Sequence, residues 1–183
     1  VIVLPSYNGA RKLPVLTPLL ALLLAREGFA VLLHGMRTEA QRVLASEVLQ
    51  RLEVPVWERM QPLAAGQVAH VATEVLHPGL ARLLAVRQVL GLRTPGHSLV
   101  KLLAPCAGPA VLVGSYTHPE YSVLMRDVLV ARQMTGLLSR GLEGEVVCDP
   151  RRQPRYDAVW QGVLRGGAAS GHLGRRAGAA AGD

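Results

Sequence analysis

One short segment combines the residue types that bind anions at the end of a strand. His34-Gly35-Met36-Arg37-Thr38 follows an apolar run and offers a glycine, an arginine and a hydroxyl in close succession. Loops between a strand and a helix present backbone N–H groups to anions, and the planar guanidinium of arginine suits phosphate. His34, Gly35 and Arg37 are therefore candidate phosphate-pocket residues. A plain strand-to-helix turn explains the same pattern at least as well.

A second candidate lies between Ala85 and Thr94, where Arg87 and Arg93 flank the end of a predicted helix. The two guanidinium groups could converge on one anion just before the next helix begins. The alternative is that both are solvated charges near a helix C-terminus, where the helix dipole favours cations anyway. The residues alone support the two interpretations equally.

The overall charge also favours polyanionic partners. The chain carries 20 lysines and arginines against 13 aspartates and glutamates, a net charge of +7. Such a basic balance is typical of proteins that contact phosphate groups. Cys106 and Cys148 lie far apart without a CxxC spacing or a nearby histidine pair, so we expect no metal site.

The elements that must position these residues alternate along the chain. Extended apolar runs alternate with helix signals such as Thr17-Pro18, Thr38 with Gln41, Thr94-Pro95 and His118-Pro119. Such alternation predicts an α/β fold, a largely parallel sheet flanked by helices on both faces. The predicted strands are Val1 to Leu4, Ala30 to Leu33, Val54 to Trp57, Val68 to Val71, Ala110 to Gly114 and Gly136 to Ser139.

Composition indicates one folded domain and a tail. We expect an α/β domain over 1–160 and a disordered tail over 161–183, because glycine and alanine there bury too little apolar surface to offset the ordering entropy. The apolar stretch from Leu13 to Ala25 contains Pro14 and Pro18 and is too short to cross a bilayer, so it predicts a buried core helix. No leader-like segment is evident. We therefore expect a cytoplasmic protein with no membrane partner.

Taken together, these segments resemble the anthranilate phosphoribosyltransferase family, also called glycosyltransferase family 3. The resemblance covers roughly Leu4 to Asp149. It rests on the Val-Arg-x-x-Leu-Gly-x-Arg-Thr run at Val86 to Thr94 and on the His-Pro pair at His77-Pro78, with support from His34-Gly35 and Ala104-Pro105. It implies a nucleoside-phosphorylase or phosphoribosyltransferase-like C-terminal domain whose N-terminal helical domain is mostly missing. It also implies a homodimer for the full-length family member, which this shorter chain need not form.

Departures from the family pattern affect the chemistry that the resemblance implies. Leu33 and Met36 replace the lysine and asparagine that flank the family's His-Gly pair. Val146 and Val147 stand where the family has the Asp-Glu pair that organises magnesium, and valine has no oxygen to offer a hard cation. Glu143 and Glu145 could supply a ligand only in a shifted alignment. The family's glycine-rich pyrophosphate loop is expected upstream of Val1.

Within the family, the segments at Pro5 to Lys12 and Leu99 to Leu103 resemble the YbiB-type, non-biosynthetic branch, which implies nucleic-acid binding. We expect DNA or RNA as the partner, no catalytic residue, no metal and no cofactor. Distributed cations suffice for backbone binding: Arg11, Lys12 and Lys101, together with Arg37, Arg87 and Arg93. The alternative is an active transferase that uses magnesium and phosphoribosyl pyrophosphate to modify an aromatic or nucleobase-like acceptor. A third interpretation is a truncated, inactive gene copy.

Overall fold

Eight strands form one sheet in the computed structural model, which describes residues 1–149, 151 and 155–169. The strand order is β3-β4-β2-β1-β5-β6-β7-β8. The first six strands pair in parallel, whereas β7 pairs antiparallel with β6 and β8 pairs antiparallel with β7. Their bounds are β1 Ile2–Pro5, β2 Val31–Gly35, β3 Val56–Trp57, β4 Val68–Ala72, β5 Val111–Tyr116, β6 Thr135–Arg140, β7 Arg155–Trp160 and β8 Val163–Ala169.

The helices mostly begin and end at the residues that their sequence signals indicate. Pro18 stands in the first turn of α1, and the His77 side chain accepts the backbone N–H of Leu80 at 3.1 Å to cap α4. Gly91 ends α4 in the left-handed conformation, at φ 69°. The bounds are α1 Thr17–Arg26, α2 Ala45–Arg51, α3 Thr73–Leu76, α4 Pro78–Leu90, α5 Gly96–Leu99 and α6 Glu120–Ala131.

Helices pack against both faces of the sheet, so the predicted layered α/β architecture is confirmed. On one face, α1 and α2 cover Leu4, Val31 and Leu33 of the two central strands. On the other face, Met125 and Leu129 of α6 pack against core residues of three strands, Val3, Leu112 and Leu138. Because β-strand side chains alternate, neighbouring residues such as Val3 and Leu4 serve opposite layers.

The central pairing brings the carboxyl ends of several strands to one edge. Leu4 of β1 lies beside Leu33 of β2, and the two strands end together at Pro5 and His34. β1 also pairs with β5, which pairs with β6 up to Tyr116 and Arg140. The loops after β1, β2, β5 and β6 therefore meet at the carboxyl edge of the sheet, where ligands bind in folds of this kind.

The predicted core helix is less buried than its composition indicated. Ala21 and Ala25 face the sheet, but Leu19 is 52% exposed and Leu23 is 41% exposed. The prediction of burial on all sides was wrong, because α1 is the outer layer of the sheet and only its alanine side meets the strands.

The helix predicted from Thr38 begins seven positions later, at Ala45. Thr38 does not cap a helix: its hydroxyl donates to the Tyr7 carbonyl at 3.0 Å. The helix start is fixed instead by Glu47, whose carboxylate accepts the Leu44 backbone N–H at 2.8 Å. The intervening residues form an ordered loop around Arg37.

The start of the predicted tail is also different in the structure. Residues 163–169 form β8, which extends the sheet by pairing with β7. The Gly162 turn that joins the two strands has φ 76°, a conformation that glycine adopts without strain. Composition alone therefore placed the boundary too early, because ladder hydrogen bonds do not depend on side chains. Residues 170–183, the rest of the predicted tail, lie outside the described residues.

Across the part of the chain that the structure describes, none of the helices is long and apolar enough to cross a membrane.

Candidate functional site

The first predicted pair, His34 and Gly35, forms the framework of the carboxyl edge. His34 is fully buried, with Nε2 at 3.0 Å from the Leu103 carbonyl and Nδ1 at 2.7 Å from the Tyr7 hydroxyl. Because a carbonyl can only accept, Nε2 carries the proton and Nδ1 accepts from Tyr7. Burial lowers the pKa of His34 to about 4. A side chain at Gly35 would overlap the Ser6 carbonyl. Neither residue offers a group to a ligand, which corrects their assignment to the pocket.

Arg37 is held inside its own loop. Its Nη1 donates to the carbonyls of Glu39, Ala40 and Arg42 at 3.2, 3.1 and 2.9 Å, and its Nη2 meets Glu47 at 2.6 Å. These bonds occupy the guanidinium fork that phosphate would need. Arg37 therefore orders the loop after β2, and its predicted phosphate contact is not formed by this arrangement.

The structure brings Arg87 and Arg93 together, but around a carboxylate of the same chain. Arg87 lies 2.6 Å from Glu39, Arg42 lies 2.7 Å from it, and Arg93 lies 3.7 Å away. Burial alone would raise the pKa of Glu39, but the hydrogen bonds and charges of Arg42 and Arg87 outweigh it and lower that pKa. Of the three arginines, Arg93 is the most exposed, at 39% of its side chain. It alone keeps substantial contact with solvent.

Lys101 does not reach the surface, which corrects its assignment to nucleic-acid binding. It is 6% exposed, and its ammonium donates to the Gly144 carbonyl at 2.7 Å. Burial lowers its pKa to about 8, against the attraction of the Glu145 charge. Lys101 thus holds the loop after β6 against the loop after β1.

The loop after β6 carries two glutamates onto the residues that follow β1. The carboxylate of Glu145 is 4% exposed and is surrounded by four donors. The donors are the Ser6 hydroxyl at 2.6 Å, the Thr17 hydroxyl at 2.9 Å and the backbone N–H groups of Asn8 and Gly9 at 2.9 and 2.8 Å. Thr17 stands at the start of α1, so the whole donor set lies where a strand, a loop and a helix N-terminus meet.

Glu143 holds the next part of the same loop. Its carboxylate accepts the backbone N–H groups of Arg11 at 2.7 Å and Lys12 at 3.1 Å. The main chain of both cationic residues is therefore fixed, while their side chains are exposed. No ion pair involves either side chain within residues 1–149, 151 and 155–169. These two predicted nucleic-acid contacts remain accessible.

The two valines at the family's magnesium positions are part of the apolar core. Val146 is 3% exposed and packs with Leu4, Leu33 and Ala21, and Val147 packs against the same cluster. Glu143 and Glu145 cannot replace the missing ligands in this arrangement, because N–H and O–H donors already surround their oxygens. Within the described residues no cluster of three His, Cys, Asp or Glu could hold a metal. The residues present do not fit magnesium.

A cleft of about 480 Å³ opens beside β5 at the same edge. Tyr116, His118 and Tyr121 line it together with Arg93 and the α5 segment. Arg140 at the end of β6 is paired with Tyr116 and lies next to Arg155 at the start of β7, and both arginines are exposed. We call the exposed basic residues of this edge the carboxyl-edge cations: Arg11, Lys12, Arg93, Arg140 and Arg155.

Two of these cations, Arg140 and Arg155, were not predicted from the sequence, and neither were the donors around Glu145. The end of the predicted β6 was a signal for Arg140, since ligand groups follow strands. Arg155 lies in the unpredicted hairpin, so nothing marked it. The Glu145 contact joins residues 128 to 139 positions apart, and no local pattern reports such a pair.

The mostly parallel sheet, its two helical layers and the donor loop after β1 define an α/β domain of the phosphoribosyltransferase type. A solved structure of anthranilate phosphoribosyltransferase (TrpD) from Thermus thermophilus is similar, with a TM-score of 0.64 and 26% sequence identity over 91% of this chain and 50% of that chain. No family model matches the sequence.

Similarity to curated proteins extends over most of the chain. The sequence is 36% identical over 163 residues to the uncharacterized protein YbiB of Escherichia coli K12, covering 86% of this chain and 51% of YbiB. It is 31% identical over 133 residues to anthranilate phosphoribosyltransferase of Thermus thermophilus, covering 69% of this chain and 39% of that enzyme. The chain belongs to the anthranilate phosphoribosyltransferase-like family. It spans about half the length of YbiB and less than half of the curated enzyme.

Proposed function

We propose that this chain binds the phosphate backbone of DNA or RNA in the cytoplasm, without magnesium-dependent phosphoribosyl transfer. The observation that carries the proposal is the arrangement of the carboxyl edge. Exposed cations surround a cleft there, while the positions that would serve a metal hold buried valines. The resemblance to the YbiB-type branch supports the same proposal.

The carboxyl-edge cations suit sequence-independent binding. Backbone contacts to phosphates need positive charge spread along a surface, and they carry no direct information about the bases. Glu143 already fixes the main chain of Arg11 and Lys12, so binding would order only their side chains. A smaller entropic cost leaves more of each electrostatic contact as affinity.

The family's own ligand would meet obstacles at this edge. Phosphoribosyl pyrophosphate is a polyanion that requires both charge neutralisation and a metal. Val146 and Val147 offer no oxygen ligands. The donor groups after β1 are saturated by Glu145. For these reasons we favour binding over catalysis.

The proposal is tested by fluorescence anisotropy with a labelled single-stranded oligonucleotide of mixed sequence. The full chain is compared with a chain that ends at Ala169, because Arg175 and Arg176 in the removed segment could bind polyanions by themselves. The shorter chain keeps the β7–β8 hairpin and every carboxyl-edge cation, so we expect it to bind with an affinity within about threefold of the full chain, as loss of one net charge costs little.

Two results would contradict the proposal. Binding that disappears with residues 170–183 would assign the activity to that segment. Turnover of phosphoribosyl pyrophosphate with anthranilate and magnesium would show that the edge remains catalytic.

A further inference from the structure

The loop after β1 has the form of an oxyanion site. Asn8 and Gly9 present two successive backbone N–H groups to one oxygen, at 2.9 and 2.8 Å. The hydroxyls of Ser6 and Thr17 donate to the second oxygen. Successive N–H groups in a tight loop, next to a helix N-terminus, form the concavity that binds anions in many proteins.

A buried cation completes the electrostatics of this loop. The ammonium of Lys101 is 6% exposed and attracts the charge that lies in the loop. Its hydrogen bond goes to the Gly144 carbonyl rather than to the carboxylate. The site therefore offers four donors and a nearby positive charge, a set that fits either a carboxylate or a tetrahedral phosphate oxyanion.

The group that fills the site comes from the loop after β6. This loop reaches the site through Glu143 and Gly144, whose φ values of 51° and 86° are both left-handed. A side chain at Gly144 would overlap the Asn8 amide, so the loop can approach this closely only with glycine. The Ser115 hydroxyl donates to the Gly144 carbonyl at 2.8 Å and fixes the turn.

We infer that Glu145 is an internal ligand: its carboxylate occupies an oxyanion site of the fold and excludes free phosphate from it. An attached group competes at an effective concentration of millimolar or more, because the fold holds it in place. Phosphate in solution would have to displace it and also leave a buried carboxylate without partners. The backbone of a nucleic acid must consequently be bound outside this site, at the exposed cations.

The test removes the carboxylate and asks whether the vacated site takes an anion. Backbone amide signals of Asn8 and Gly9 are followed by NMR during titration with inorganic phosphate, against sodium chloride of equal ionic strength. Glu145→Ala should show saturable shifts of both amides. The native chain should show none. Glu143→Ala is the matched control, since it removes a carboxylate from the same loop and leaves the site filled.

Thermal unfolding supplies a second readout that does not depend on assigned spectra. Phosphate should raise the unfolding temperature of Glu145→Ala more than chloride does, and it should act equally with chloride on the native chain and on Glu143→Ala. We expect phosphate affinity at the two amides to be at least about tenfold tighter in Glu145→Ala, the factor that one charge-assisted hydrogen bond contributes.

Three outcomes would overturn the inference: saturable phosphate shifts of Asn8 and Gly9 in the native chain, a folded Glu145→Ala chain without them, or a Glu145→Ala chain that stays unfolded in both salts. None of these outcomes depends on nucleic-acid binding, which is measured with a different ligand at different residues. The two proposals can therefore fail separately.

Discussion

At the scale of single residues, two buried histidines link the folding of the sheet to pH. His34 on β2 and His70 on β4 are 0% and 4% exposed, and burial lowers the pKa of each to about 4. In the unfolded chain both would titrate near 6.5. The unfolded state therefore binds more protons between these values, so stability present above pH 6.5 is lost as the pH falls towards 4.

We expect the free energy of unfolding to fall by about 4 kcal/mol between pH 7.5 and pH 5, about 2 kcal/mol for each histidine. Urea unfolding at the two pH values measures it. Unfolded carboxylates remain largely ionised at pH 5, so histidine dominates this range. In His70→Gln, roughly half of the loss should disappear. Stability that is equal at the two pH values would show that these side chains are accessible to protons in the folded chain.

Residue types predicted the kind of chemistry at this edge better than they predicted the partners. Arginines near strand ends indicated anions, and Arg87 and Arg93 do approach one, but it is Glu39. A sequence shows that a guanidinium is present and does not show which carboxylate the fold brings to it. Arg11 and Lys12 stay exposed only because Glu143 binds their main chain instead of their side chains.

At the scale of elements, α1 shows how composition can overstate burial. Leu23 is 41% exposed, whereas Leu49 of α2 is completely buried in the cluster beneath both helices. Leu49→Ala should lower the free energy of unfolding by about 2–5 kcal/mol, because it leaves a cavity. Leu23→Ala should cost less than about 1 kcal/mol, since surface substitutions have small effects. Urea unfolding of both variants measures the difference. Equal losses would mean that the outer side of α1 is covered in solution.

The order of the elements was predictable, and several boundaries were not. Alternating helix and strand signals predicted the parallel part of the sheet, because that alternation has few other solutions. The β7–β8 hairpin was missed, since its second strand, Val163–Ala169, is mostly glycine, alanine and one arginine after its first two residues. Its partner strand supplies the order that its own side chains do not indicate.

At the scale of the whole molecule, location matters more than total charge. Several arginines are committed to internal carboxylates or carbonyls, whereas the carboxyl-edge cations stay exposed together at one edge of the sheet. Neither the net charge of +7 nor the spacing of basic residues reveals this division. It depends on contacts between loops that follow different strands, such as the contact of Glu143 with Arg11.

The proposed role of the carboxyl-edge cations can be isolated by a matched pair of variants. Arg11→Ala with Lys12→Ala removes two exposed charges from the carboxyl edge. Arg51→Ala with Arg132→Ala removes two exposed charges that lie at the ends of α2 and α6, at the opposite edge. Both variants change the net charge equally, so non-specific attraction falls by the same amount in each.

The most direct measurement is the salt dependence of oligonucleotide affinity for the native chain and these two variants. Each phosphate neutralised on a single strand contributes a slope of about −0.7 to the plot of log affinity against log salt. Binding at the carboxyl edge predicts that Arg11→Ala with Lys12→Ala makes this slope shallower by up to about 1.4, the equivalent of two contacts, whereas Arg51→Ala with Arg132→Ala leaves it at the native value. Equal slopes in the two variants, or an affinity independent of salt, would contradict binding at this edge.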